Sequence, residues 1–457
     1  MSHVVHALVS ALGPDQVLTG EEIPARNFQD ASNRPPTPPL ALVRPGSTPE
    51  VSTVLRICHE YAQPVVVQGG MTGLAGGAHP ATGEIALSLE RMVGIEEIDP
   101  ASATLTALAG TTLVAVQEAA EAAGFCCGID LGSRGSCTIG GNVATNAGGN
   151  QVLRYGSVRR NVLGLEAVLA DGSVVSGLNK MIKNNTGYDW PQLMIGSEGT
   201  LGVVTRVVLG LPPRPASVST VALALSSFGD TMQVLRFLQQ TMPGRLLSFE
   251  VMWREFIAVA GLIGAASPFP IDTEIVALVE ADTGLEDEDS GFDTKIATAI
   301  DAGWVKDAIV AQSKAQALKL WSLRETPARY RSHGYKVHGL DISLPLSLMA
   351  EAVTHLRAEF ATKLRDLPTF WFGHAADSNI HVCALLKEAD DRQTSVVDEI
   401  VYDCVVRFGG SISAEHGIGR NKKAHLRLSR SSDELELMRK LKIALDPQNI
   451  LNPGRIL

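Results

Sequence analysis

The chain has 457 residues, 45% of them hydrophobic and 19% charged, with a formal net charge of -10. That length supports two or three domains with full cores, and the composition belongs to a globular protein, not a disordered one. No basic run is present to follow a phosphate backbone, so nucleic acid is excluded as an expected partner.

The opening residues, Met1-Ser2-His3-Val4-Val5-His6-Ala7-Leu8, lack the basic start and longer apolar core of a secretory signal. No later stretch offers about 18 uninterrupted apolar residues, so no transmembrane segment is expected and the expected location is the cytoplasm. The six cysteines, Cys58, Cys126, Cys127, Cys137, Cys383 and Cys404, include no CxxC pair. An iron–sulfur cluster or zinc ribbon is therefore not indicated, and the vicinal Cys126-Cys127 reads as small buried apolar side chains.

In chain order, residues 40–43 read as a strand. Thr48-Pro49-Glu50 then opens a helix with a cap, a first-turn proline and an acid, and Val51, Val54, Leu55 and Cys58 form its buried stripe. An inner strand at 64–67 breaks into a glycine-rich loop. A strand at 104–108 and a helix at 113–123 follow. Strands at 165–170 and 173–176 form a hairpin across Asp171-Gly172, which predicts a type I′ turn. Leu211-Pro212-Pro213-Arg214-Pro215 can neither continue a helix nor enter a sheet, and marks a linker between domains at 1–213 and 214–457. Beyond it come strands at 220–225, 274–279 and 341–344 and helices at 231–240, 313–326 and 346–364. Both halves read as mixed α+β layers without internal repeats.

Three loops of the first half are dense in glycine: residues 69–77, 132–149 and 195–202. Glycine permits close backbone approach and positive φ, so successive N–H groups can face one anion. Any one such loop is accounted for by tight turns alone. Three of them, interleaved with Ser, Thr and Asn, suggest an extended cofactor with a pyrophosphate held by main-chain donors. None fits GxGxxG between a strand and a helix, so a nicotinamide site is not supported.

The second half gathers histidines and a carboxylate in two short segments, Gly373-His374-Ala375-Ala376-Asp377-Ser378-Asn379-Ile380-His381 and Ser413-Ala414-Glu415-His416-Gly417. On one helix His374 and His381 would stand two turns apart, about 10 Å, too far to share an ion. Flanking a polar turn between two apolar strands, they can meet. Glu415 and His416 are adjacent, so in an extended segment one can ligate while the other faces a substrate. The set suits a divalent metal with its own base. Surface or cap roles are the alternative for each residue taken singly.

The blocks "PVVVQGGMTGLAGG", "DLGSRGSCTIGGNVATNAGG", "KNNTGYDWPQLMIGSEGTLGVVT", "FGHAADSNIH", "SAEHGIGRNK" and "LDPQNILNPGRIL" together resemble the FAD-dependent D-2-hydroxy acid dehydrogenases, flavoproteins of the vanillyl-alcohol oxidase type. The resemblance runs from about residue 39 to 457, in order. It implies a two-subdomain FAD-binding domain, then an α+β substrate domain with an antiparallel sheet, and a final segment (about 415–457) that returns to the flavin. By position, the pyrophosphate would lie against Gly69, Gly70, Thr72, Gly73 and Leu74. The flavin would lie along Ser136, Thr138, Gly141, Asn142, Thr145, Gly148 and Gly149, with contacts from Glu198, Gly199, Val203 and Asn452. His374, His381 and Glu415 would hold Zn²⁺ or another divalent ion, His416 would be the base, and Arg324 would grip the substrate carboxylate. A surface ion pair is the alternative for Arg324. The first glycine loop has no histidine before His79, so noncovalent FAD is expected.

The implied reaction is oxidation of a D-2-hydroxy acid to the 2-keto acid with hydride transfer to flavin N5. Without a heme or cluster motif, electrons would pass to a separate acceptor, an electron-transfer flavoprotein or a quinone-linked carrier. A homodimer is one arrangement left open. A metal-free FAD oxidase of the same fold and a metal-dependent hydrolase are the rival readings. Dicarboxylate-oxidising relatives typically place a threonine, a lysine and an asparagine where this chain has Ala328, Gly339 and Cys383, although Lys336 and His338 stand close to the lysine's position. D-lactate or a related monocarboxylate is therefore the expected first substrate, with D-2-hydroxyglutarate second.

Overall fold

The structure is a computed structural model that describes residues 2–284, 291–388 and 390–457. The chain divides into two compact units, one of residues 1–149, 155–214 and 415–457, the other of residues 150–154 and 215–414.

In the first unit the helix Thr48–Glu60 is capped one residue earlier than expected, because Ser47, not Thr48, accepts from the Glu50 N–H. Thr48 is thereby free to turn inward, where its hydroxyl donates to the buried Glu166 carboxylate at 2.6 Å. Val51, Val54, Leu55 and Cys58 are fully buried against Val65, Ile85 and Leu87. Those last three belong to a four-stranded sheet ordered Val17–Leu18, Ala41–Val43, Ile85–Ser88, Val65–Gln68, whose last three strands are parallel. The edge strand Val65–Gln68 is covered by the C-terminus. Val65 donates to Ile450 and accepts from Asn452, both at 2.8 Å, so backbone groups that an edge would leave open are paired.

A second, five-stranded antiparallel sheet of this unit is ordered Ile95–Asp99, Thr104–Leu108, Val203–Gly210, Val162–Val168, Val174–Gly177. The helix Leu113–Ala122 packs on it through Leu113, Val116 and Ala120. The hairpin forms, but not with the expected two-residue type I′ turn. Its strands pair from Leu165↔Gly177 to Val168↔Val174, and Gly172 N–H donates to Leu169 O at 3.0 Å. Of Asp171 and Gly172 only Gly172 takes positive φ, so the longer loop meets the twist with one glycine.

The second unit is built on a seven-stranded antiparallel sheet ordered Asp307–Val310, Val218–Leu225, Ile275–Asp282, Leu246–Trp253, Thr369–His374, Asn379–Leu386, Lys336–Ser343. Period-2 alternation divides its side chains. On one face Trp371 stacks with Phe360 of the helix Met349–Lys363. On the other, Phe370 and Phe372 meet Phe256 of the helix Arg254–Gly261, and Phe370 meets Tyr330. All six cysteines are free; Cys127 is buried as expected and Cys126 is half-buried. Among the described residues no helix is long and apolar enough to cross a membrane.

Candidate active site

The first unit contains a cleft of about 890 Å³, part of it open to solvent, lined by all three glycine loops. Gly69, Gly70, Thr72, Gly73, Thr138, Gly141, Asn142, Thr145, Glu198, Gly199, Val203 and Asn452 line it, as does His416. Met71, Cys137, Gly140 and Ala144 line it as well, which motif reading did not single out. Leu74, Ser136, Gly148 and Gly149 do not. Leu74 is 47% exposed, Ser136 presents its carbonyl to Gly70, and Gly148 and Gly149 lie against Glu415.

Close approach explains the glycine at 70, where a Cβ would come within 2.0 Å of the Ser136 carbonyl. The wall can therefore be as near to a ligand as main chain permits. Thr138 Oγ1 and Asn142 Nδ2 are buried in this wall without a hydrogen-bond partner. Polar atoms left so cost stability unless something bonds them. A cofactor rich in acceptors such as FAD fits the glycine cradle and these donors. His79 is 2% exposed and is not among the lining residues.

The floor of the cleft is tied to the C-terminal segment by two residues. Asn452 Oδ1 accepts from Val67 N–H at 2.8 Å and its Nδ2 donates to Glu198 O at 2.6 Å. The Glu198 carboxylate accepts from Ile418 and Gly419 N–H, each at 2.7 Å. Burial pushes its carboxyl above the ordinary value, against the opposing pull of those two N–H groups and Lys422. Glu415 Oε1 meanwhile accepts from Gly149 N–H at 3.1 Å. Glu415 and His416 thus sit on the segment that closes this unit, with His416 facing the cleft.

In the second unit the strand Thr369–His374, the short turn Ala375–Asp377 and the strand Asn379–Leu386 place the two histidines as the strand-turn reading requires. Phe372 pairs with His381 in register and their rings stack at 4.8 Å. A ring nitrogen of His374 and one of His381 lie within 4.8 Å of each other, near the span of at most about 4.2 Å open to two nitrogens on one ion.

Glu250, which sequence reading did not pick out, organises this face. It lies opposite His374 in paired strands, its Oε1 takes the His374 Nδ1–H, and its Oε2 accepts from Arg324 Nε at 2.7 Å. Burial acts to raise its carboxyl, but His374 and Arg324 together hold it below the ordinary value. The one available signal was an acid inside the strand Leu246–Trp253, apolar but for Ser248. Arg324, at the end of the helix Lys314–Arg324, also lies over the Phe372 ring at 4.4 Å. Among the described residues its Nη atoms make no hydrogen bond. Two imidazoles brought together are donor types that suit zinc or a similar divalent ion.

Gly339 and Cys383 pair in register on the same face as His381, and Ala328 is exposed. Burial pushes the Cys383 thiol up to about 12, so it is a neutral wall. Lys336 and His338 alternate to the opposite face, where His338 Nε2 meets Asp398 at 2.7 Å. The suggested replacement for the absent lysine is therefore not supplied by either of them.

Residues 39–177 match the FAD binding domain, and residues 214–456 match the C-terminal domain of FAD linked oxidases. The D-2-hydroxyglutarate dehydrogenase of Xanthomonas citri pv. viticola is 40% identical over 425 residues, 92% of this chain and 89% of that protein. The Stutzerimonas stutzeri protein of that name is 33% identical over 99% of this chain and 98% of its own length, and the mitochondrial one of Bos taurus is 39% identical over 91% and 76%. Among solved structures, p-cresol methylhydroxylase with substrate bound aligns with a TM-score of 0.77 at 16% identity, covering 99% of this chain and 96% of that one. The 4-ethylphenol oxidase of Gulosibacter chungangensis gives 0.75 at 18%, with the same coverage of each chain. These two share the fold, which is of the vanillyl-alcohol oxidase type, and the relatives named above share most of the sequence span as well: the chain belongs to the FAD-dependent D-2-hydroxy acid dehydrogenases.

Proposed function

We propose that this chain oxidises a D-2-hydroxy acid to the 2-keto acid, with FAD in the glycine cleft and a divalent cation, Zn²⁺ or a similar ion, on His374, His381 and Glu415. The observation that carries the substrate class is Arg324, whose Nε is spent on Glu250 while its Nη atoms remain for a carboxylate beside His374. Bound FAD supplies the hydride acceptor, and a bound divalent cation supplies acidification of the substrate hydroxyl. The side chains do the rest. Arg324 holds the substrate carboxylate, the Phe372 ring beneath the guanidinium steadies it, and His416 takes the hydroxyl proton as the hydride leaves Cα. The electron pair then passes to a separate acceptor, an electron-transfer flavoprotein or quinone-linked carrier.

The substrate tail is read as small or apolar. Ala328, Gly339 and Cys383 offer a second carboxylate no charged partner, and a buried charge without hydrogen bonds costs several kcal/mol. D-lactate or D-2-hydroxybutyrate is thus placed ahead of D-2-hydroxyglutarate, the substrate in the names of the relatives and the second reading. Anaerobic mixing with D- and L-forms of these acids, followed by flavin bleaching, tests both levels. No bleaching by any D-2-hydroxy acid overturns the reaction, and a higher kcat/KM for D-2-hydroxyglutarate than for every monocarboxylate overturns the ranking. Turnover undiminished after metal is stripped would return the metal-free oxidase reading.

A further inference from the structure

Glu250 is 1% exposed and makes two directional bonds with one carboxylate, to His374 Nδ1 and to Arg324 Nε. We propose that Glu250 is a positioning residue that sets the His374 tautomer and the Arg324 orientation together, so that metal affinity and substrate-carboxylate binding share one support; this rests on the function proposed above. A carboxylate only accepts, so the proton of neutral His374 must stay on Nδ1 and Nε2 is left as a lone pair, the atom a cation needs. The second oxygen fixes the other end. It takes Nε of Arg324 while the Phe372 ring covers one guanidinium face, and rotation that would carry the Nη atoms away breaks both contacts.

A purely structural ion pair would require charge and volume but no particular tautomer or aim. Two variants separate the roles. In Glu250→Gln the amide keeps the volume, yet its NH₂ must either oppose Arg324 Nε–H or donate to His374 Nδ1 and drive the proton to Nε2. In Glu250→Asp the shorter arm still faces His374, its direct cross-strand neighbour, but withdraws from the helix that carries Arg324.

The test uses flavin-loaded full-length protein, stripped of metal and titrated calorimetrically with Zn²⁺, with KM and kcat measured for D-lactate and D-2-hydroxyglutarate. Glu250→Gln is expected to lose about 10- to 100-fold in Zn²⁺ affinity. Glu250→Asp is expected to bind Zn²⁺ close to the parent but to raise KM about tenfold or more, the weight of a misaimed charge-assisted hydrogen bond, with a smaller change in kcat. Parent-like Zn²⁺ affinity in Glu250→Gln overturns the tautomer role, and a parent-like KM in Glu250→Asp overturns the aiming role. Should Glu250→Gln fail to hold flavin, the KM of Glu250→Asp decides alone. If the parent binds no Zn²⁺ and neither acid bleaches its flavin, the proposed function falls and this role with it; if the parent does both and the variants match it, only the Glu250 role falls.

Discussion

Asp341 stands directly opposite His381 in paired antiparallel strands, and its Oδ2 accepts the Ala414 N–H at 2.9 Å. One carboxylate thus ties the strand beside a proposed metal ligand to the residue that precedes Glu415 in the chain. Ser413 Oγ reaches the same oxygen at 3.3 Å. Replacing Asp341 by Ala is expected to lower Zn²⁺ affinity about 10- to 100-fold, the usual effect of removing support behind ligands, while leaving the flavin spectrum intact. Metal content per flavin after dialysis measures it.

The proposed ligands and the base differ in what their loss removes. His374→Ala and His381→Ala are each expected to lose the metal and turnover but to keep FAD, because the cleft is built in the other unit. His416→Ala is expected to keep the metal and lose about 10²-fold or more in rate. Metal analysis beside single-turnover flavin reduction separates them, and loss of metal in His416→Ala would exchange the roles of Glu415 and His416.

FAD is expected to leave with the supernatant when the protein is precipitated by acid, since no histidine lines the first glycine loop and His79 is buried away from the cleft lining. Flavin staying with the pellet would contradict this. Gly70→Val is expected to abolish flavin binding, because its Cβ would meet the Ser136 carbonyl at 2.0 Å and the wall would have to move. The visible flavin absorbance of the purified variant reads the outcome.

Substrate tail selection is expected to follow the Gly339–Cys383 pair. A Cβ at 339 would meet Cys383 Sγ at 2.9 Å, so a lysine there needs the partner changed with it. The double variant Gly339→Lys, Cys383→Asn is expected to shift the kcat/KM ratio toward D-2-hydroxyglutarate over D-lactate by about tenfold or more, the weight of one charged hydrogen bond to a second carboxylate. An unchanged ratio would place the tail elsewhere.

Glu198 carries a sign-specific pH signature. Its carboxyl is raised above 4.5 chiefly by burial, so between pH 4.5 and its folded value the native chain holds a proton that the unfolded chain has released. That contribution to stability is full below pH 4.5 and is lost as pH rises through the raised value. Glu198→Gln cannot titrate, so its urea midpoint should fall less steeply than the parent's between pH 4.5 and 7. Parallel profiles would show that the group is not perturbed in the folded state.

Much of this protein is decided locally and was legible without a structure. The Thr-Pro-Glu start of the helix Thr48–Glu60, though not its cap at Ser47, the apolar runs on either side of Asp377-Ser378-Asn379 and the glycine blocks act over a few residues, through alternation and backbone freedom. The turn at Asp171-Gly172 was misread because dipeptide preference does not fix loop length; the strands stop earlier, at Val168 and Val174. Tertiary structure alone decided what depends on register and long-range pairing. Glu250 meets Arg324 and His374 across 74 and 124 positions of sequence, and such a partnership leaves no periodic trace. Whether Lys336 or Gly339 shares a face with His381 turns on a single step of strand register, because neighbouring side chains in a strand point to opposite sides of the sheet.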